Sequence, residues 1–138
     1  MSDMKTVETD ADIAAFLAAH PHRGRAEDAA EVAAMIGRLS GFPPRLWGDA
    51  MIGFGAYDYA RADGSRHRWF RAGVSPRKAD LVVYVMSGFY GLDAHLARLG
   101  PHRRGASCLY LGRLAQIDRG ALEEIVAASL AEMARRYP

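Results

Sequence analysis

Apolar and polar positions along the chain keep a helical rhythm up to about residue 40 and an alternating one over much of the remaining length. Ile13, Phe16 and Leu17 recur at i, i+3 and i+4, and Asp10 and Asp12 stand where a helix dipole favours carboxylates. The spacing predicts a short helix over residues 9–19. "HPHRGR" breaks the pattern, and a second helix is expected over 26–39, with Val32, Met35, Ile36 and Leu39 as its apolar stripe. Gly41 and the adjoining "FPP" end it.

Beyond that point the period falls to two. "MIGFGAYDYA" (51–60) reads as a strand, Asp63-Gly64 as a hairpin turn, and "HRWFRAGV" (67–74) as the returning strand. "SPRK" (75–78) is a turn, and "ADLVVYVM" (79–86) is the most apolar strand of the chain. Leu92, Leu96 and Leu99 predict a short helix over 91–99, stopped by Gly100-Pro101, and "SCLYLGRL" (107–114) is a fourth strand. Asp118 is a good N-cap for a last helix that buries Leu122, Ile125, Val126, Ser129 and Met133. Consecutive strands with short turns and grouped helices predict an α+β fold. Its antiparallel β-sheet packs against N- and C-terminal helices. No repeat or linker divides the chain, so residues 1–138 are expected to form a single domain.

Composition narrows the class. Half of the residues are hydrophobic and 25% are charged, the balance of a globular protein. No apolar run approaches the roughly 20 residues of a membrane span, and no membrane partner is expected. The opening "MSDMKTVETDAD" lacks a signal peptide's basic and apolar regions. Cys108 is the only cysteine, which excludes an internal disulfide and makes a cytoplasmic location the expectation. A net charge of +2 is too small to predict nucleic acid as a partner. The charge is unevenly spread, however. Residues 1–60 hold five Lys/Arg against nine Asp/Glu, whereas residues 61–113 hold ten against three. A basic middle segment favours a small anion or an acidic partner.

Several motifs bear on chemistry. "GFGAY" lacks the third glycine and the helix of a dinucleotide loop; Gly53 and Gly55 are expected to allow a bulge or close packing beneath an aromatic ring. Cys108 with His102 would suit thiol catalysis, yet a cysteine inside a strand reads as a small apolar residue. The five histidines have no metal-ligand spacing, and no metal or cofactor is expected. Glu8, Asp10, Asp12, Glu27, Asp28 and Glu31 read as carboxylates favoured near helix starts. "SPRKAD" and "GPHRRGAS" remain. In each, a fixed turn carries basic side chains into a strand, an arrangement that clasps carboxylate or phosphate. The expected ligand-binding residues are Arg77, Lys78, His102, Arg103 and Arg104. Trp47, Tyr57, Tyr59 and Trp69 would wall a pocket for a ligand with a ring and a negative charge.

Three segments also carry a resemblance: "FPPRLWGDAMIGFGAYDYARADG" (42–64), "WFRAGVSPRKADLVVYV" (69–85) and "LARLGPHRRGASCLYLGRLAQID" (96–118). The order P-x-x-W, G-F-G-x-Y, S-P-R-K, L-G-x-H, S-C-L-Y resembles the YdhG-like family, which has no established activity. Val74 replaces the family's usual phenylalanine, and "PHRRGAS" stands where lysines and threonine are usual; the loop stays basic. The resemblance implies an α+β fold with an antiparallel sheet and a distant likeness to frataxin-type iron chaperones. The first functional expectation is therefore a small-anion binding domain. The alternatives are frataxin-like iron handling through Asp10, Asp12, Glu27 and Glu31, and an enzyme. No paired carboxylates, triad or phosphate loop is complete enough to name a reaction for the last.

Overall fold

A computed structural model describes residues 7–138 of the chain. The fold is α+β, with all sheet pairings antiparallel among the described residues. The elements in chain order are β1 (Glu8–Thr9), α1 (Ile13–Ala19), α2 (Arg23–Ser40), β2 (Pro44–Trp47) and β3 (Met51–Phe54). They continue with β4 (Tyr57–Ala60), β5 (Arg66–Trp69), β6 (Ala72–Pro76), β7 (Leu81–Val85) and α3 (Asp93–Leu99). β8 (Arg103–Arg104), β9 (Cys108–Leu111), a 3-10 turn (Leu114–Gln116) and α4 (Arg119–Arg136) complete the chain. Seven strands form one sheet in the order β1-β2-β3-β6-β7-β9-β8, and β4-β5 is a separate hairpin.

Alternation along the strands gives the sheet two unlike faces. Leu46, Ile52, Phe54, Val74, Leu81, Val83, Val85, Leu109 and Leu111 point to one side. There they join Val32 and Ile36 of α2 and Leu122, Ile125 and Val126 of α4 in the main core. The other side holds a smaller cluster of Trp47, Phe70, Val82 and Tyr84, with Met51, Trp69, Met86, Cys108 and Tyr110 half-buried at its margin. The helices therefore cover one face, while the second is met by the β4–β5 hairpin through Trp69.

Helix ends agree with their caps. Asp12 and Asp118 accept hydrogen bonds from the N–H of Ala15 and Ala121, and Gly41 closes α2 with φ +74°. The face of α4 buries Leu122, Ile125, Val126, Ser129 and Met133, as its periodicity predicts. Several boundaries differ from the sequence expectation; the strand expected over 107–114, for one, spans only Cys108–Leu111, with Leu114 in the 3-10 turn. Residues 9–12 are not helical, because Glu8–Thr9 pairs with Leu46–Trp47 as the edge of the sheet. α2 begins at Arg23, before the expected residue 26, because the His22 Nδ1 accepts from the Arg25 N–H and caps the helix three residues early. Pro44–Trp47, of which only Pro44 falls in the expected helix stop, is a strand; its first residue needs no N–H toward solvent. The runs 51–60 and 67–74 are each cut in two. Gly55 adopts φ +67° in the first, and in the second the chain leaves the hairpin at Phe70-Arg71 to enter the main sheet.

Candidate functional site

The second face acquires its chemistry from register. Val82 lies opposite Ser75 and Tyr110, Tyr84 lies opposite Cys108, and Arg103 lies opposite Tyr110. Side chains at paired positions share a face, so Tyr84, Cys108, Tyr110 and Arg103 come together on the side away from the helices. An aromatic tier leads toward them. Trp69 meets Trp47 with ring centroids 5.7 Å apart, Trp47 meets Phe70 at 5.5 Å, and Phe70 meets Tyr84 at 5.1 Å. These tilted and edge-to-face arrangements suit ring quadrupoles.

The tier lies close to the sheet because Gly53 and Gly73, cross-strand partners, have no side chains. A Cβ on Gly53 would sit 2.6 Å from the Trp47 ring and 2.7 Å from the Phe70 ring, and one on Gly73 would sit 2.9 Å from Phe70. The expectation that Gly53 allows close approach of an aromatic ring is met.

Arg77 ends the tier. Its Nη2 donates to the Tyr84 hydroxyl at 2.8 Å, and no carboxylate accepts from it among the described residues. The Tyr84 hydrogen bond and the nearby Tyr84, Cys108 and Tyr110 groups raise the Arg77 pKa. Burial pushes the Tyr84 phenol up, against the opposing pull of Arg77, so the hydroxyl keeps its proton. Because its oxygen accepts from Arg77, the Tyr84 O–H hydrogen is left to donate elsewhere. A guanidinium and a phenol thus offer hydrogen-bond donors side by side.

The turn that carries Arg77 is held from beneath. Arg25, 7% exposed, donates from Nη1 to the carbonyls of Lys78 at 2.8 Å and Arg77 at 3.4 Å. The His20 Nε2 lies 2.8 Å from the Pro76 carbonyl, and the Arg77 N–H donates to Asp80 O at 2.9 Å. Asp80 in turn accepts from Arg103 Nη2 at 3.0 and 2.9 Å, and the Arg103 guanidinium carbon lies 4.9 Å from the Tyr110 ring centre. Arg103 is therefore a neutralised charge at the rim, whereas Arg77 has no acidic partner among the described residues.

The sequence-predicted residues do not form one constellation. Arg77 and Arg103 share the second face. Arg104, next along β8, points to the opposite side and lies over the Phe89 ring at 5.3 Å. Lys78 is exposed, with only its carbonyl engaged, and His102 Nδ1 lies 2.8 Å from Gly100 O. Trp47 is 1% exposed and belongs to the core of the tier, which leaves Trp69 as its half-exposed member. Tyr57 packs on Tyr59 and on Tyr137 beyond α4, and Tyr59 stacks on His67 at 5.4 Å; Tyr57 lies opposite Trp69 in the β4–β5 ladder, but its ring contacts are with the two tyrosines. Tyr84, Tyr110, Asp80 and Arg25 belong to the site without having stood out in the sequence. The tyrosines are legible there only as the outward beats of two apolar strands, and Arg25 lies in a segment that reads as a break.

Most of the acidic residues are occupied elsewhere, whereas Glu27 is exposed on α2 with no ion-pair or hydrogen-bond partner among the described residues. Asp10 pairs with Arg45 at 2.7 Å, Glu31 with Arg119 at 2.6 Å, and Asp28 accepts from Arg113 Nε and Leu114 N–H. Asp12 caps α1. No group of three His, Cys, Asp or Glu side chains placed to hold a metal occurs among the described residues. No helix among them is long and apolar enough to cross a membrane. Comparison of the chain with protein-family models, curated proteins and solved structures found no significant match.

Proposed function

We propose that this is a binding domain of the YdhG-like kind that takes a small anion on the second face of its sheet. Arg77 is the principal anion-binding group, and the Tyr84 hydroxyl is the second donor. One observation carries the reading: the exposed Arg77 guanidinium is fixed by Tyr84, has Tyr110 and Cys108 near it, and has no carboxylate partner among the described residues. An anion that arrives at this guanidinium has no existing ion pair to break before it forms charge-assisted hydrogen bonds of its own. Arg103 and Tyr110 flank the position, and Arg103 would have to leave Asp80 to take part. The Trp69 end of the tier offers an apolar surface for the remainder of the ligand.

The test is a thermal-shift and calorimetric titration with phenyl phosphate and benzoate at constant ionic strength, with ferrous iron as a further arm. A ligand at a hundredfold excess over its Kd stabilises by about 2.7 kcal/mol, which makes a site visible. Stabilisation by an anion that is lost in Arg77→Ala and reduced in Tyr84→Phe is the expected result. Undiminished stabilisation of Arg77→Ala would remove Arg77 from the site. Iron as the sole stabilising additive would favour the frataxin-like alternative.

A further inference from the structure

Arg104 opens a second place of binding, independent of Arg77. β8 is two residues long, and alternation turns Arg103 to one face of the sheet and Arg104 to the other. The Arg104 guanidinium lies over Phe89, which covers its ring-facing side, while its N–H edge has no acceptor among the described residues. It lines a cleft of about 600 Å³ between the turn that leaves β7 and the turn from β8 to β9. The cleft is broadly open to solvent, so a ligand there would be held by its charges rather than by enclosure.

Two other side chains give the cleft a character unlike that of the Arg77 face. Tyr90 is fully exposed, on a turn whose glycines, Gly88 and Gly91, both have positive φ. The tight turn holds a large ring out in water with nothing packed against it, which is uncommon for an aromatic residue. Asp93 lines the same cleft as Arg104. Neither the Arg104 nor the Asp93 side chain has an ion-pair or hydrogen-bond partner among the described residues, and they do not pair with each other. Opposite charges facing one cleft without meeting would repel part of any simple anion or simple cation. A molecule that carries both charges satisfies both walls at once.

We propose that this cleft binds an aromatic zwitterion of the α-amino acid class. The carboxylate lies on the Arg104 N–H edge, the ammonium toward Asp93, and the ring against Tyr90. Guanidinium–carboxylate and ammonium–carboxylate contacts are charge-assisted hydrogen bonds, and the ring contact adds area.

The experiment is an NMR titration of the full chain with L-phenylalanine, 3-phenylpropionate and phenethylamine, read at backbone amides. L-phenylalanine is expected to shift the amides of 89–93 and 104–106 and to bind at least about tenfold more tightly than either single-charge analogue. Arg104→Ala should abolish the shifts that L-phenylalanine and 3-phenylpropionate cause at those amides, whereas Asp93→Asn should abolish those caused by L-phenylalanine and phenethylamine. Arg77→Ala should leave the shifts at the amides of 89–93 and 104–106 unchanged for all three probes, which separates this site from the one on the other face. Equal affinity for 3-phenylpropionate and L-phenylalanine would overturn the proposal, as would retention of L-phenylalanine binding in Arg104→Ala. So would the absence of shifts at those amides at millimolar probe.

Discussion

Gly53 and Gly73 face each other across β3 and β6, and the Phe70 ring lies over both. The absence of two Cβ atoms sets how near the aromatic tier comes to the sheet, and hence where Tyr84 stands to meet Arg77. Gly53→Ala would place a methyl within 3 Å of the Trp47 and Phe70 rings, both of them buried on all sides. Overpacking of this kind costs about 1–3 kcal/mol, and urea denaturation should show a midpoint lowered by that free energy divided by the slope, with the slope itself unchanged. The methyl has no flexible neighbour to displace, since its contacts are ring atoms and the Phe70 Cβ. Here sequence reasoning worked well, because a glycine between apolar strand residues has few uses besides close approach.

The turn between β6 and β7 shows how one element positions another. Its backbone carbonyls at 77 and 78 would face a buried setting, and Arg25 from the first turn of α2 supplies their donor. The Arg25 Nε has no partner of its own, so the contact is made at some cost in desolvation. Arg25→Met keeps the apolar stem but removes the donors. Amide exchange at Arg77, whose N–H bonds to Asp80, should accelerate by about tenfold or more, and anion stabilisation through Arg77 should weaken. Exchange in the middle of α4 should stay as it is, and uniform acceleration there would mean global destabilisation instead.

The same turn shows what could be read from the chain and what could not. Helices α2 and α4, the apolar β7 strand, the Asp63-Gly64 hairpin and the antiparallel α+β class were legible, because each rests on local periodicity or turn chemistry. β1, β2 and β8 were not. They are two to four residues long; β1 exists only because the distant β2 offers its edge, and β2 and β8 are too short for their pairing with the next strands, β3 and β9, to show as alternation. The site divides along the same line. Arg77 stood out in a basic turn, but its pairing with Tyr84 depends on how β6, β7 and β9 align. The apparent unity of His102, Arg103 and Arg104 was an effect of adjacency in sequence. Once Arg103 and Arg104 lie in a strand, neighbours in the chain become opposites in space.

In the molecule as a whole, alkaline pH acts against the aromatic contacts. Burial, and after it the neighbouring Tyr137 and Tyr59, raises the Tyr57 pKa to about 12. Folding therefore favours its neutral form. That contribution is fully present below the ordinary phenol value of about 10, and it is lost as pH rises from there through about 12. The raised Tyr84 pKa acts in the same direction. Chemical denaturation from about pH 9 to about 11.5 should show falling stability, and Tyr57→Phe should fall less steeply. Parallel slopes for the two proteins would show that Tyr57 does not supply the linkage.

The aromatic tier has one more consequence, and it is optical. The chain contains two tryptophans, Trp47 and Trp69, and both belong to that tier. Phe70 and Tyr84 connect them by contact to Arg77, whereas neither touches the Phe89–Arg104 pair. Intrinsic indole emission is thus a built-in reporter of one side of the sheet and stays silent about the other. A ligand that quenches it and a ligand that leaves it unaltered would announce, without any label, on which side each has settled.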